Sequence, residues 1–139
     1  VSPIKIEDLS GHIKGRSNML SKIKEMLSSA EKEVIIHTSI DDFEDKSRVL
    51  LPILDKMTKD NFKLRIALSG DSHRIKRFAS RNEIKLKESE YNGKFYLVDK
   101  KEALIMIQPE NSEEEVGAWI NSPYFANSFI SMYDKNVKA

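Results

Sequence analysis

Two hydrophobic periods alternate along this chain, and their order restricts the fold more than any single residue does. Residues 17–31 place Met19, Leu20, Ile23, Met26, Leu27 and Ala30 at three- and four-residue intervals, one apolar stripe on a helix. EVIIHTS at 33–39 follows as a short β-branched run and reads as a buried strand. Residues 40–46 read as an acidic loop. Residues 47–60 read as a second helix, with Val49, Leu50, Ile53, Leu54 and Met57 inward and Pro52 near its first turn. FKLRIALS at 62–69 is the next strand, stopped by Gly70. Asp71 or Ser72 then caps a short basic helix to about Ser80. A brief strand at 84–87 precedes a hairpin in which 94–98 pairs with 103–107 across 99–102. A strand at 116–120 leads to a last helix opened by Ser122 and Pro123. This order predicts an α/β fold, a mixed sheet flanked by helices and partly parallel in its first half.

Composition bounds the function. The chain has 139 residues, 40% hydrophobic and 32% charged, enough for one domain with one core. Residues 1–15 read as a lead-in or linker and 16–139 as the domain. Lys and Arg number 23 against 22 acidic residues, so a dedicated nucleic-acid surface is not expected, although a local basic patch is compatible. With no cysteine there are no disulfides, thiolate metal sites or Cys nucleophiles. No apolar run approaches a membrane span and no signal peptide is visible, so a cytoplasmic protein without a membrane partner is expected. The chain opens on Val1 rather than Met, which reads as a fragment with a partner domain upstream.

YNGKFYLVD at 91–99 carries the main chemical signal. Lys94 and Asp99 hold a Lys-x4-Asp spacing, and Asn121 and Ser122 follow on a later strand. This resembles the phosphodiesterase signature of the phospholipase D superfamily, in which a His two residues before the Lys attacks phosphorus. Here that position is Asn92. An amide nitrogen has its lone pair delocalised into the carbonyl and cannot attack. The competing reading is a plain β-hairpin, since the pattern is short.

In an α/β sheet, ligands bind beyond the strand ends. The residues there are Thr38, Ser39, Ser69, Gly70, Asn121 and Ser122, each of which also suits a turn or cap. The candidate ligand-binding set is Ser39, Ser69, Asn92, Lys94 and Asn121, and a cation among neutral donors favours an anionic or polyhydroxylated ligand. The three histidines, His12, His37 and His73, have no partner at ligand spacing, so no metal and no cofactor is expected. His12-Ile13-Lys14 matches His-x-Lys by accident. His37 reads as a core histidine bonded to backbone. The basic run His73, Arg74, Lys76, Arg77 and Arg81 reads as a solvated helix face rather than a phosphate site. Asp41, Asp42, Glu44 and Asp45 lack the spacing of a calcium loop.

Taken together, IKGRSNMLSKIKEMLSSAEKEVIIHTS at 13–39, the strand at 62–68, the hairpin at 94–107 and AWINSPYFANSFISM at 118–132 resemble the C-terminal effector domain of archaeal TrmB-type transcription regulators. The resemblance spans about 11–134. It implies a catalytically degenerate phospholipase D-like fold, a homodimer, a cytoplasmic setting, and a winged-helix DNA-binding domain upstream. This chain holds no winged-helix segment, so DNA would be bound only through that absent domain, and no residue here specifies a sugar. The expected function is a non-catalytic ligand-sensing and dimerisation domain. The alternatives are a phosphodiesterase with an atypical site, with His37 as replacement nucleophile, and a non-catalytic lipid-binding module. The near-neutral charge and the lack of an exposed aromatic-basic strip count against the last.

Overall fold

A run of β-branched and apolar residues forms a strand because it can be buried on both faces, and β2 (Glu33–Ser39) has six of its seven residues buried. The computed structural model describes residues 10–107 and 114–137. Around β2 lie β1 (Ser10–Lys14), α1 (Arg16–Ser28), α2 (Ile40–Lys59), β3 (Lys63–Ser69), α3 (Ser72–Arg81), β4 (Lys87–Glu88), β5 (Phe95–Val98), β6 (Glu102–Met106), β7 (Val116–Asn121) and α4 (Pro123–Asn136). The strands form one sheet in the order β1-β7-β6-β5-β2-β3-β4. Strands β2, β3 and β4 run parallel, and all other neighbours are antiparallel. This is the mixed sheet flanked by helices that the alternation predicts.

Strand alternation sorts the core into two layers. Val34, Ile36, Ile66, Leu68, Tyr96, Val98 and Leu104 face α1 and α2, with Ile75 and Phe78 of α3. Ile35, Ala67, Phe95, Leu97 and Ala103 face α4 through Phe129, Ile130 and Tyr133. Helix α1 buries Met19, Ile23, Met26 and Leu27, its periodic stripe, at about 1.5–3 kcal/mol for each side chain. Among the described residues no helix is long and apolar enough to cross a membrane.

Two sequence boundaries shift. Part of the expected lead-in is strand: Ser10–Lys14 pairs with β7, while residues 1–9 lie outside the described set. As an edge strand with exposed His12 and Lys14 it carries little hydrophobic signal. The expected acidic loop at 40–46 is instead the start of α2. Ser39 Oγ accepts from the Asp42 N–H, and Asp41 and Asp42 sit in the first turn, where carboxylates favour the positive end of the helix dipole. Pro52 therefore lies inside α2, not near its start, and it is tolerated on the exposed side.

The β5–β6 turn ties the sheet to the α1–β2 connection. Asp99 and Lys100 both have positive φ, 53° and 57°, and the Lys101 N–H returns to the Val98 carbonyl at 3.0 Å, a primed hairpin turn. The Asp99 carboxylate accepts the N–H groups of Glu31 at 2.9 Å, Lys32 at 2.8 Å and Glu33 at 2.9 Å. Desolvation alone would raise its pKa. The three amides, helped by the charge of Lys101, outweigh it and hold the carboxyl below its ordinary value. A depressed carboxylate stabilises above its unfolded pKa and loses that stabilisation as pH falls through the folded one. We expect Asp99→Ala to cost about 2–3 kcal/mol at neutral pH, measured by urea unfolding. The gap between variant and parent should close as pH falls below about 4; a constant gap would assign the loss to packing.

Candidate functional site

Strands β2 and β3 end side by side, with Ser39 in register with Ser69. Strand β5 begins at the same end, since Phe95 pairs with His37, and the ladder extends one residue further through the Met106 N–H to the Lys94 carbonyl at 3.0 Å. Lys94 thus continues the alternation that puts Tyr96 and Val98 on the α1–α2 face. No hydrogen bond or ion pair joins its ammonium group among the described residues. Asn92 is exposed in the preceding loop. Ser69 is buried, and Ser39 is half-buried with its oxygen committed to the α2 cap. Gly70 turns the chain with φ 121°, and a Cβ there would stand 2.7 Å from Ile40 Cγ2, so only glycine fits.

The fifth expected member lies elsewhere. Asn121 pairs with Glu102, and the Ser122 N–H donates to the Lys101 carbonyl at 2.7 Å. Both contacts place it beside the Asp99 turn, at the far end of the sheet from Lys94. Strand direction is the reason: β6 returns towards the Lys94 end, and β7 runs back again. The structure brings Ser39, Ser69 and Lys94 to one end with Asn92 next in chain, and separates Asn121 from them.

The same geometry separates Lys94 from Asp99. They flank opposite ends of β5, and Asp99 is committed to backbone amides. No Lys94–Asp99 ion pair forms.

Next to this end is a buried charge cluster that sequence reasoning missed. Lys46, on the inner face of α2, has no exposed side-chain surface. Its ammonium donates to Asp42 and to Glu115 Oε1, the latter at 2.5 Å. Thr38 Oγ1 donates to Asp42 Oδ2 at 2.7 Å, and the Tyr96 hydroxyl lies 3.5 Å from the same oxygen. Burial would lower the lysine pKa, but Asp42 and then Glu115 more than offset it, so the ammonium form is favoured. A lysine held protonated between two carboxylates is neither nucleophile nor base. Its signal is Lys46 between Phe43 and Leu50 at helical spacing, a pattern that an acidic loop at 40–46 would not carry.

His37 sits on the other face, fully buried, against Phe95 with ring centroids 5.0 Å apart and an interplanar angle of 5°. Its Nδ1 is 2.7 Å from the Gly93 carbonyl, which can only accept, so Nδ1 carries the proton. In the neutral ring Nε2 then accepts from the Ser89 hydroxyl at 2.8 Å. It is a core histidine, as expected, with a side-chain partner besides the backbone one. Burial lowers its pKa, against the opposing bond to Gly93. A separate cavity of about 530 Å³ lies between α2, β3 and the segment after α3, lined by Leu51, Leu54, Phe62, Leu64 and Ile84 among others. No predicted site residue reaches it. Among the described residues no cluster of His, Asp and Glu could hold a metal ion.

The family model "Transcriptional regulator TrmB, EBD N-terminal subdomain" matches residues 11–137. The chain belongs to the TrmB family. Among solved structures it is similar to TrmBL2, described as an archaeal chromatin protein with a novel mode of DNA binding, at TM-score 0.71 and 16% identity. That match covers 100% of this chain but 57% of TrmBL2, so the chain spans little more than half of that relative. It is also similar to Nuc from Salmonella typhimurium, a phospholipase D family member, at TM-score 0.64 and 14% identity, covering 91% of each chain. NucT from Helicobacter pylori matches at TM-score 0.63 and 15% identity, covering 94% of this chain and 98% of that one. Among curated proteins none matches significantly. At these identities the structural likeness establishes the phospholipase D-like fold, and the TrmB family model establishes a transcription-regulator domain.

In this TrmB-family domain the buried histidine gives a pH signature. A histidine whose folded pKa is lowered contributes fully above its unfolded pKa of about 6.5 and loses stability as pH falls below it. The urea midpoint should therefore drop between about pH 7.5 and 5.5, while His37→Gln, less stable at pH 7.5, should show a smaller drop. An equal drop in both would place the titration elsewhere.

Proposed function

We propose that this TrmB-family domain senses a ligand and pairs with a second copy of itself, without catalysing phosphodiester hydrolysis. The observation that carries the reading is the state of the phospholipase D-like signature: Asn92 stands at the nucleophile position, and Asp99 is spent on three backbone amides. The atypical phosphodiesterase has less support. His37, its replacement nucleophile, lies on the α4 face with both ring nitrogens engaged, whereas Lys94 continues the opposite face. An effector would sit at the shared end of β2, β3 and β5, with Lys94 and the hydroxyls of Ser39 and Ser69 nearby and Asn92 at the rim. An unpaired ammonium beside neutral donors favours an anionic or polyhydroxylated molecule. Reading of a DNA sequence is assigned to a domain outside this chain, and the setting is cytoplasmic.

The dimer reading rests on uneven coverage. Among the described residues three helices cover one face of the sheet and α4 alone the other. In the first turn of α4, Tyr124 and Phe125 are 79% and 45% exposed. A two-fold pairing through α4 and the neighbouring strand would bury them.

Purified protein should not hydrolyse bis-p-nitrophenyl phosphate, phospholipid or nucleic acid above background. Turnover abolished by Lys94→Ala would refute catalytic silence. Sedimentation at tens of micromolar should show a dimer that Tyr124→Glu/Phe125→Glu converts to monomer; monomer from the parent chain would remove the pairing claim.

A further inference from the structure

Charge is not spread evenly over this nearly neutral chain. Residues 72–87 hold six of its 23 Lys and Arg but one of its 22 acidic residues, so the rest of the chain holds 17 cations against 21 acids. The structure gives this excess a shape. Helix α3 turns Ile75 and Phe78 into the core. Its outer side carries His73, Arg77 and Arg81 at four-residue intervals, one row with about 6 Å between steps. Lys76 stands beside the row, and Lys85 and Lys87 continue it along the edge of the sheet. All six side chains are exposed.

Elsewhere several cations are held by carboxylates, whereas Lys14, Lys24, Arg48 and Lys94 have no ion pair among the described residues and stand apart from one another in sequence. Arg16 meets Asp45, Lys46 meets Asp42 and Glu115, and Arg65 meets Glu33 and Asp134. Arg74, also on α3, is held by Asp41 and Glu44. No hydrogen bond or ion pair joins the side chains of Lys76, Arg77, Arg81, Lys85 or Lys87 among the described residues. Arg81 alone has a local explanation, since a cation in the last turn suits the helix dipole. Arg77, four residues before it, only repels it. Asp71, Glu83 and Glu88 border the strip without pairing to these five cations.

We propose that this edge, Lys76, Arg77, Arg81, Lys85 and Lys87, grips the sugar-phosphate backbone of duplex DNA without reading its sequence. A row of unpaired cations complements a regularly spaced polyanion, and arginine suits phosphate through its planar fork. The strip offers no exposed aromatic ring on which unpaired bases would stack, which favours duplex over single strands. It offers no exposed apolar side chain to enter a lipid surface, Ile84 and Leu86 being partly buried against the core, which disfavours a membrane. The choice of DNA as the polyanion rests on the transcription-regulator reading; the strip itself does not.

Fluorescence anisotropy of the chain with a mixed-sequence duplex of about 30 bp, from about 50 to 200 mM salt, tests the proposal. Binding should weaken steeply with salt. Arg77→Ala/Arg81→Ala/Lys85→Ala should bind at least about 10-fold more weakly at low salt, with a log–log slope shallower by about three. Lys24→Ala/Lys56→Ala/Lys59→Ala removes the same charge elsewhere and should bind like the parent. The proposal fails if the parent does not bind duplex at low salt, if both triple variants lose affinity equally, or if phosphatidylserine vesicles are bound in preference to duplex. None of these outcomes touches the hydrolysis or sedimentation assays, so the sensing and pairing reading stands or falls separately.

Discussion

Every polar group that β2 carries must be satisfied inside the protein, because almost none of the strand reaches water. Much of the structure answers that demand. Its backbone is paired on one side by parallel β3 and on the other by antiparallel β5. Its first N–H groups and those just before it, which precede the ladder, are taken by the Asp99 carboxylate. Its two inner polar side chains each anchor a network, Thr38 through Asp42 towards Lys46, and His37 through Ser89 and Gly93. A neutral partner lost from any of these leaves a buried donor or acceptor unpaired, which costs more than the bond itself contributes.

The same demand explains why Asp99 is held in place while Asn92 stands two residues before Lys94. The Lys-x4-Asp spacing needs no shared chemistry between its ends. Asp99 is fixed by the backbone of the α1–β2 connection, five residues from Lys94, on the far side of a four-residue strand. Its role is architectural and independent of what Asn92 or Lys94 does. The cluster around Lys46 is architectural too, in a different way. It ties the first turns of α2 to Glu115, just ahead of β7, and joins the parallel and antiparallel halves of the sheet with charge rather than with apolar packing. Such a pair adds little net stability over a hydrophobic substitute, but it is strict about geometry.

Much of the fold was legible in the chain. The stripe from Met19 to Leu27 and the EVIIHTS run carry their own periods, and the Ser122-Pro123 start of α4 is a local signal that no neighbour overrides. The faces of β5 obey simple strand alternation. Legibility failed where a local pattern had two meanings. Acidic residues at 41–45 suit a loop or a helix N-terminus, and only the Ser39 cap and the burial of Phe43 and Lys46 against the sheet decide between them. The edge strand β1 has no hydrophobic pattern because it has little to bury.

Most element types, the absence of thiol chemistry and the asparagine at position 92 are properties of residues and their near neighbours, and so are readable from the chain alone. Only the tertiary structure decided which strand ends meet. Asn121 and Lys94 look like partners along the chain, yet two reversals of direction carry them to opposite ends of the sheet. The pairing of Lys46 with Glu115, 69 residues away, and the outward row on α3 left without carboxylates were likewise set by which elements lie beside one another in space. Distance along a chain does not encode that adjacency; strand order does.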